Sequence, residues 1–375
     1  MVTRAGVIGG VVGSLAAVAA GGLAAERYIV KQRCNRNAPP ARDFDDLAPD
    51  RTRIVHAEDG VELHVEEVGP LGAPLTVVFL HGYTLSLRAF YFQRRDLAER
   101  FGSQIRMVFY DQRSHGRSGA SVPAGATMEQ LGRDLFTVLE EIAPAGPVVL
   151  VGHSMGGMAI QHFAGAFPQY FADGESAPPR RLARRRSGPR IIGVALVATS
   201  SGDMASVPLG LPALFGRVQG PITGALLRTA RRRANLVESG RRLGTDIAWL
   251  ITRRLSFGDK AISPDVVDFL NSLISATPII AIADFFGTLM DHDGAAGLQV
   301  LQHTDVVIIV GELDVMTPVT HSERIAEALP KAKLVRLDGV GHVALMERPD
   351  DVDEAIGDLV QRALDEAGDA AKRRG

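Results

Sequence analysis

From residue 51 onward the chain is written in short bursts of apolar residues. Residues 51–56 and 61–68 alternate apolar with polar around Asp59-Gly60. That is the pattern of two strands joined by a tight turn, with one face open to water. Denser apolar runs follow at 75–80, 105–110, 148–151, 191–197, 306–310 and 333–337. Runs of this length, rich in Val and Ile, suit strands buried on both faces. Stretches of helical character separate several of them, residues 128–142 and 155–167 among them. The alternation predicts an α/β fold, a parallel sheet with helices on both sides.

The sheet pattern is interrupted twice. Residues 202–302 are rich in Leu, Ala and Arg, with helical segments expected around 221–233, 241–254 and 264–273. This region reads as a helical cap over one end of the sheet, dividing the core into residues 51–201 and 303–366. A shorter insertion, 172–190, holds Pro178-Pro179 and Arg180, Arg181, Arg184, Arg185, Arg186 and Arg190. It reads as a solvated loop, or as a patch attracted to anionic lipid headgroups. Past Leu364 the chain is charged and expected to fray, with 367–375 as a tail.

The N-terminal segment, residues 1–30, has a different character. Residues 5–25 carry no charge, and about 20 such residues span a bilayer core. Gly6, Gly9, Gly10 and Gly13 have the spacing that lets membrane helices approach closely. A membrane anchor is preferred here to a cleaved signal peptide or a plain N-terminal helix. The flanking charges, Arg4 against Arg27, Lys31, Arg33 and Arg36, leave sidedness open. Residues 31–50, with Ala38-Pro39-Pro40, read as a linker.

Composition narrows the possibilities. Apolar residues make up 46% of the 375, enough for a sizeable core. A net charge of -2 gives no argument for nucleic acid. A lone cysteine, Cys34, excludes an intramolecular disulfide and a cysteine-rich metal site.

The chemistry is concentrated at the ends of three predicted strands. Run 148–151 passes directly into Gly152-His153-Ser154-Met155-Gly156-Gly157, and a helix follows at once. This is G-x-S-x-G between a strand and a helix, a turn that exposes the serine on strained backbone. A serine hydroxyl is a poor nucleophile until a base takes its proton. Run 306–310 ends in Gly311-Glu312-Leu313-Asp314, and run 333–337 ends in Asp338-Gly339-Val340-Gly341-His342. The order Ser154, Asp314, His342 supplies nucleophile, orienting acid and general base. Glu312 and Asp203 are rival acids, and His81 reads as structural.

Together with His81-Gly82 and Asp111-Gln112-Arg113-Ser114-His115-Gly116-Arg117-Ser118, these pieces resemble the α/β-hydrolases, a large group of microbial esterases, lipases and related enzymes. Relatives commonly have glycine where Ser114 stands. The resemblance covers about residues 50 to 365 and implies a mostly parallel eight-stranded sheet flanked by helices, with a cap. It implies backbone N–H donors for an oxyanion from Tyr83 and Met155. The implied reaction is hydrolysis of a carboxylic ester through an acyl-enzyme on Ser154, with no metal and no organic cofactor. An aspartate-nucleophile activity is disfavoured, because Ser154 occupies that position. Thioesterase, C–C hydrolase or perhydrolase chemistry fits the same triad. A non-catalytic binding module would not require all three residues. An apolar cap (Leu209, Phe215, Trp249, Phe269 and Phe285 among its residues) and a membrane anchor together suggest a lipid-like ester as partner.

Overall fold

The computed structural model describes residues 42–171, 188–207 and 245–373. The apolar segment 5–25, most of the Arg-rich insertion and the expected helix at 221–233 lie outside the described residues. So do Leu209 and Phe215.

Eight strands form one sheet: β1 (Arg51–His56), β2 (Glu62–Val68), β3 (Leu75–Leu80), β4 (Ile105–Tyr110), β5 (Gly146–His153), β6 (Pro189–Val197), β7 (Asp305–Gly311) and β8 (Lys333–Leu337). Their spatial order is β1-β2-β4-β3-β5-β6-β7-β8. Pairs β1–β2 and β2–β4 are antiparallel, and the remaining pairs are parallel. The two antiparallel strands are those with alternating patterns; β1, at the edge, is largely exposed, while β2 is buried at five consecutive positions. Central strands β3 and β4 are buried at every position.

Helices cover both faces. On one side lie α1 (Tyr91–Phe101), α9 (Ala344–Glu347) and α10 (Pro349–Lys372). On the other lie α2 (Met128–Ile142), α3 (Met155–Ala166) and α8 (Val319–Ala328). Between β6 and β7 run α4 (Thr245–Ser256), α5 (Pro264–Ala276), α6 (Ile279–Met290) and α7 (Ala295–Leu301). Trp249, Leu250, Phe269, Leu270 and Phe285 are all buried, so these side chains pack the helical layer onto the core. Among the described residues no single helix is long and apolar enough to cross a membrane. Helices α5 and α6 pass that test only as a pair, bent by 91°.

The last helix extends further than the charge pattern suggests. α10 continues past Leu364 to Lys372. Arg190 of β6 reaches Glu366 at 2.8 Å, and Gln361 reaches Asp365 at 3.1 Å. These contacts hold turns that composition alone marks as frayed.

The chain turns outward from β3 in two directions, to β4 on one side and β5 on the other. In an open α/β sheet the carboxyl ends at such a reversal flank a crevice. The loops after β3 and β5 carry Tyr83 and Ser154.

Candidate active site

Ser154 stands between β5 and α3 with φ 52° and ψ −117°. Non-glycine residues rarely take positive φ, and the surroundings must hold them there. Here the hold is tight packing of backbone on backbone. A Cβ at Gly156 would lie 2.1 Å from the Leu80 carbonyl oxygen, so only glycine lets α3 approach β3 this closely. The Ser154 N–H donates to the Val197 carbonyl at 2.9 Å, and the Thr199 hydroxyl donates to the Ser154 carbonyl at 2.7 Å. The side chain is thereby presented at the start of a helix, whose free N–H groups favour negative charge.

His342 follows β8 and Asp314 follows β7. The Ser154 hydroxyl lies 3.1 Å from His342 Nε2. His342 Nδ1 lies 2.8 Å from Asp314 Oδ2. All three residues are buried. Asp314 also accepts from the backbone N–H groups of Met316 at 2.8 Å and Thr317 at 2.9 Å, and from the Thr317 hydroxyl at 2.8 Å. Burial pushes its carboxyl upward, but His342 and the Thr317 bonds outweigh that and hold it below the ordinary value. An ionised Asp314 fixes the tautomer with Nδ1–H facing it, which leaves the Nε2 lone pair for the serine proton. The arrangement can therefore move a proton from hydroxyl to imidazole.

The rival acids lie elsewhere. Glu312 is exposed just past the end of β7. Asp203 pairs with Arg324 at 3.0 Å on the surface.

The loop after β3 comes within contact of the serine: a Cβ at Gly82 would lie 3.2 Å from Ser154 Cβ. The Gly82 carbonyl faces the core, bound by His81 Nδ1–H at 2.8 Å and by the Leu85 N–H at 3.2 Å. In a trans peptide the N–H points opposite to the C=O. The Tyr83 N–H is therefore aimed away from those anchors. Among the described residues neither this N–H nor that of Met155 has a hydrogen-bond partner.

The reading of His81 as structural agrees with its contacts. Its Nε2 accepts from the Gln112 N–H at 2.9 Å. Burial first, then neighbouring His115, pushes it down to about 3, so it is neutral. The 111–118 segment is a brace for the same loop. Asp111 accepts from the Leu87 and Arg117 N–H groups, each at 2.8 Å. Fully buried Arg113 spans Asp134 at 2.6 Å and Asp59 at 2.8 Å. Ser114 adopts φ 65°, a conformation glycine would take without strain.

Three contributors are not evident from the sequence. Thr317 steadies Asp314. His153 reaches the His342 carbonyl through Nε2 at 3.1 Å. Glu347 accepts from Gly341 at 2.8 Å and Gly258 at 3.2 Å, tying the His342 loop to the turn after α4. The polar character of Thr317 beside a strand end is the only local signal; the other two depend on tertiary placement.

Comparison with known proteins agrees with this picture. The model of the alpha/beta hydrolase family matches residues 77–355. A protein of Mycobacterium phage D29 that carries the name non-heme haloperoxidase is 38% identical over 114 residues, 30% of this chain and 38% of that protein. Lipase LipV of Mycobacterium tuberculosis is 35% identical over 112 residues, 30% of this chain and 40% of LipV. The aligned stretches thus span less than half the length of these relatives. A thermophilic esterase from Thermogutta terrifontis superimposes with a TM-score of 0.63 at 23% identity, covering 84% of this chain and 99% of the esterase. At that identity the superposition speaks for the fold alone. With the family model matched from β3 into the final helix, the chain belongs to the alpha/beta hydrolase family.

Proposed function

We propose that this hydrolase cleaves carboxylic esters, with Ser154 as nucleophile, His342 as general base and Asp314 as the acid that orients it. The observation that carries the reading is the unbroken chain of hydrogen bonds from Ser154 Oγ through His342 to Asp314.

In this reading Ser154 Oγ attacks the ester carbonyl as its proton passes to His342 Nε2. The oxygen charge that develops is met by the Tyr83 and Met155 N–H groups. Such donors contribute most where charge forms during the reaction. The tetrahedral intermediate collapses, the alcohol leaves with the proton from His342, and the acyl group remains on Ser154. His342 then takes a proton from water. The hydroxide attacks the acyl carbon, and the acid departs as Ser154 regains its proton. Asp314 stays ionised throughout and stabilises the imidazolium. The steps balance without a metal or an organic cofactor.

The proposal extends to a lipophilic acyl group and a membrane address. Support comes from the uncharged segment 5–25, long enough for a bilayer core. The name of the relative LipV points the same way. The test is hydrolysis of p-nitrophenyl esters from acetate to palmitate by the full-length chain, measured in membrane and soluble fractions. Turnover concentrated in the membrane fraction, with an optimum well beyond acetate, is expected. A soluble enzyme that prefers acetate would remove the lipid reading. No ester turnover at all would move the chemistry to a thioester, a C–C bond or peroxide as acyl acceptor.

A further inference from the structure

The oxyanion loop is held from two sides, and one side belongs to the helices between β6 and β7. Thr84, the residue after Tyr83, has φ 63°. For a β-branched residue that is a true outlier, and it persists only where neighbours dictate it. From the core, His115 Nε2 accepts the Thr84 N–H at 3.2 Å. From the opposite side, the Thr277 hydroxyl donates to the Thr84 carbonyl at 2.9 Å. The Tyr83 hydroxyl donates to the Ile282 carbonyl of α6.

Thr277 occupies the break between α5 and α6, where the chain bends by 91°. It is buried. Both polar groups that tie residues 83 and 84 to these helices therefore engage the bend or the first turns just past it. No other hydroxyl at the bend is bonded to the loop among the described residues. A shift of α5 against α6 would act first on the peptide joining Thr84 to Leu85, whose carbonyl Thr277 holds, and on the Tyr83 side chain.

We propose that Thr277 is a positioning residue for the oxyanion hole. It holds the strained Thr84 backbone from its carbonyl side and, together with the Tyr83 hydroxyl bond to Ile282, keeps Tyr83 in the place where the anchored Gly82 peptide aims its N–H, so that seating of the α5–α6 layer sets turnover. The inference rests on the serine-hydrolase reading above. It gives the helical layer a part in the chemical step.

The test compares the full-length parent, Thr277→Val, Thr277→Ser and Tyr83→Phe on p-nitrophenyl acetate, with Ser154→Ala alongside. Acetate is the probe because its acyl group makes the fewest contacts with the helical layer. Valine keeps the shape of threonine and removes the donor, while serine keeps the donor. Complete loss of one oxyanion donor costs about 10²–10³ in turnover, so a misdirected donor should cost roughly tenfold. The expected result is a kcat for Thr277→Val reduced about tenfold with KM changed less than about twofold, as for an interaction made in the transition state. Thr277→Ser should restore most of the parent kcat, and Tyr83→Phe should fall between them. The affinity for a trifluoromethyl ketone should weaken in step with kcat. The inference is overturned if Thr277→Val, folded by its Tm, keeps parent kcat and inhibitor affinity, or if serine fails to rescue. An active Ser154→Ala would instead remove the serine reading, and this inference with it.

Discussion

Thr317 shows how little local signal some decisive residues carry. Its hydroxyl donates to Asp314 Oδ2 and its N–H donates to Oδ1, so one residue satisfies both oxygens of a buried carboxylate. Removing the hydroxyl leaves the backbone bonds and the imidazole in place. Thr317→Val should therefore lower kcat about tenfold rather than abolish it, with a nearly unchanged KM. Loss of the outer partner of a metal-bound ligand costs about 10–100-fold, and Thr317 stands in the same relation to Asp314. Steady-state kinetics on one ester checks it. An unchanged kcat would mean that the two N–H groups suffice to hold Asp314. At the same scale, the three residues that the structure brings together, Ser154, Asp314 and His342, are legible in the sequence alone. Each follows an apolar run that declares itself a strand, and their chain order matches the chemistry. Thr277 is not legible, because its partner Thr84 is 193 residues away and nothing local announces the pairing.

At the scale of elements, strands declare themselves more surely than helices. Runs 51–56, 75–80, 105–110 and 333–337 coincide with β1, β3, β4 and β8. Strands buried on both faces need continuous apolar sequence, and turns bound them sharply. The helix at 128–142 is equally clear, with Thr127 capping it by accepting the Gln130 N–H at 3.1 Å. Helix α1 is hidden in the sequence. It buries Gln93 and Arg94 beside Tyr91, Phe92 and Leu97, so its inward face does not read as an apolar stripe. Arg94 is admitted because Glu66 on β2 meets it at 2.7 Å, a pairing visible only once the sheet exists. Helix α6 is hidden for the opposite reason: it is apolar over most of its surface and shows no clear stripe. Its position beside the loop after β3 is evident only through Tyr83 and Thr277.

For the whole molecule, buried histidines set the response to acid. Burial, the largest cause in each case, pushes His81 and His153 down to about 3 and His115 and His292 down to about 4. All four are neutral in the fold but take up protons in the unfolded chain below about 6.5. A depressed folded value means full stability above 6.5 and loss as pH falls towards 4. Asp353 acts in the other direction. Burial raises its carboxyl to about 8, so the folded state holds one proton that the unfolded state releases in this window. Among these five groups alone, four protons against one leave a net uptake of about three on unfolding, each worth about 1.4 kcal/mol per pH unit; His162 and His321, also lowered by burial, add to it, while Asp111 and Asp134, raised by burial, oppose it. Tm, followed by circular dichroism, should fall steeply from pH 6.5 to 4.5. A flat Tm across that range would show that these rings are hydrated or charged in the fold.

In the proposed mechanism everything depends on activation of Ser154 by His342. The most direct measurement is fluorophosphonate labelling of the full-length chain, followed by mass spectrometry of its peptides. A single modified residue, Ser154, is expected, with labelling greatly slowed in His342→Ala. Ser154→Ala should escape the label and lose ester turnover by about 10⁴ or more, as removal of a triad serine does elsewhere. Modification of a different residue, or a Ser154→Ala chain that still turns over ester, would contradict it.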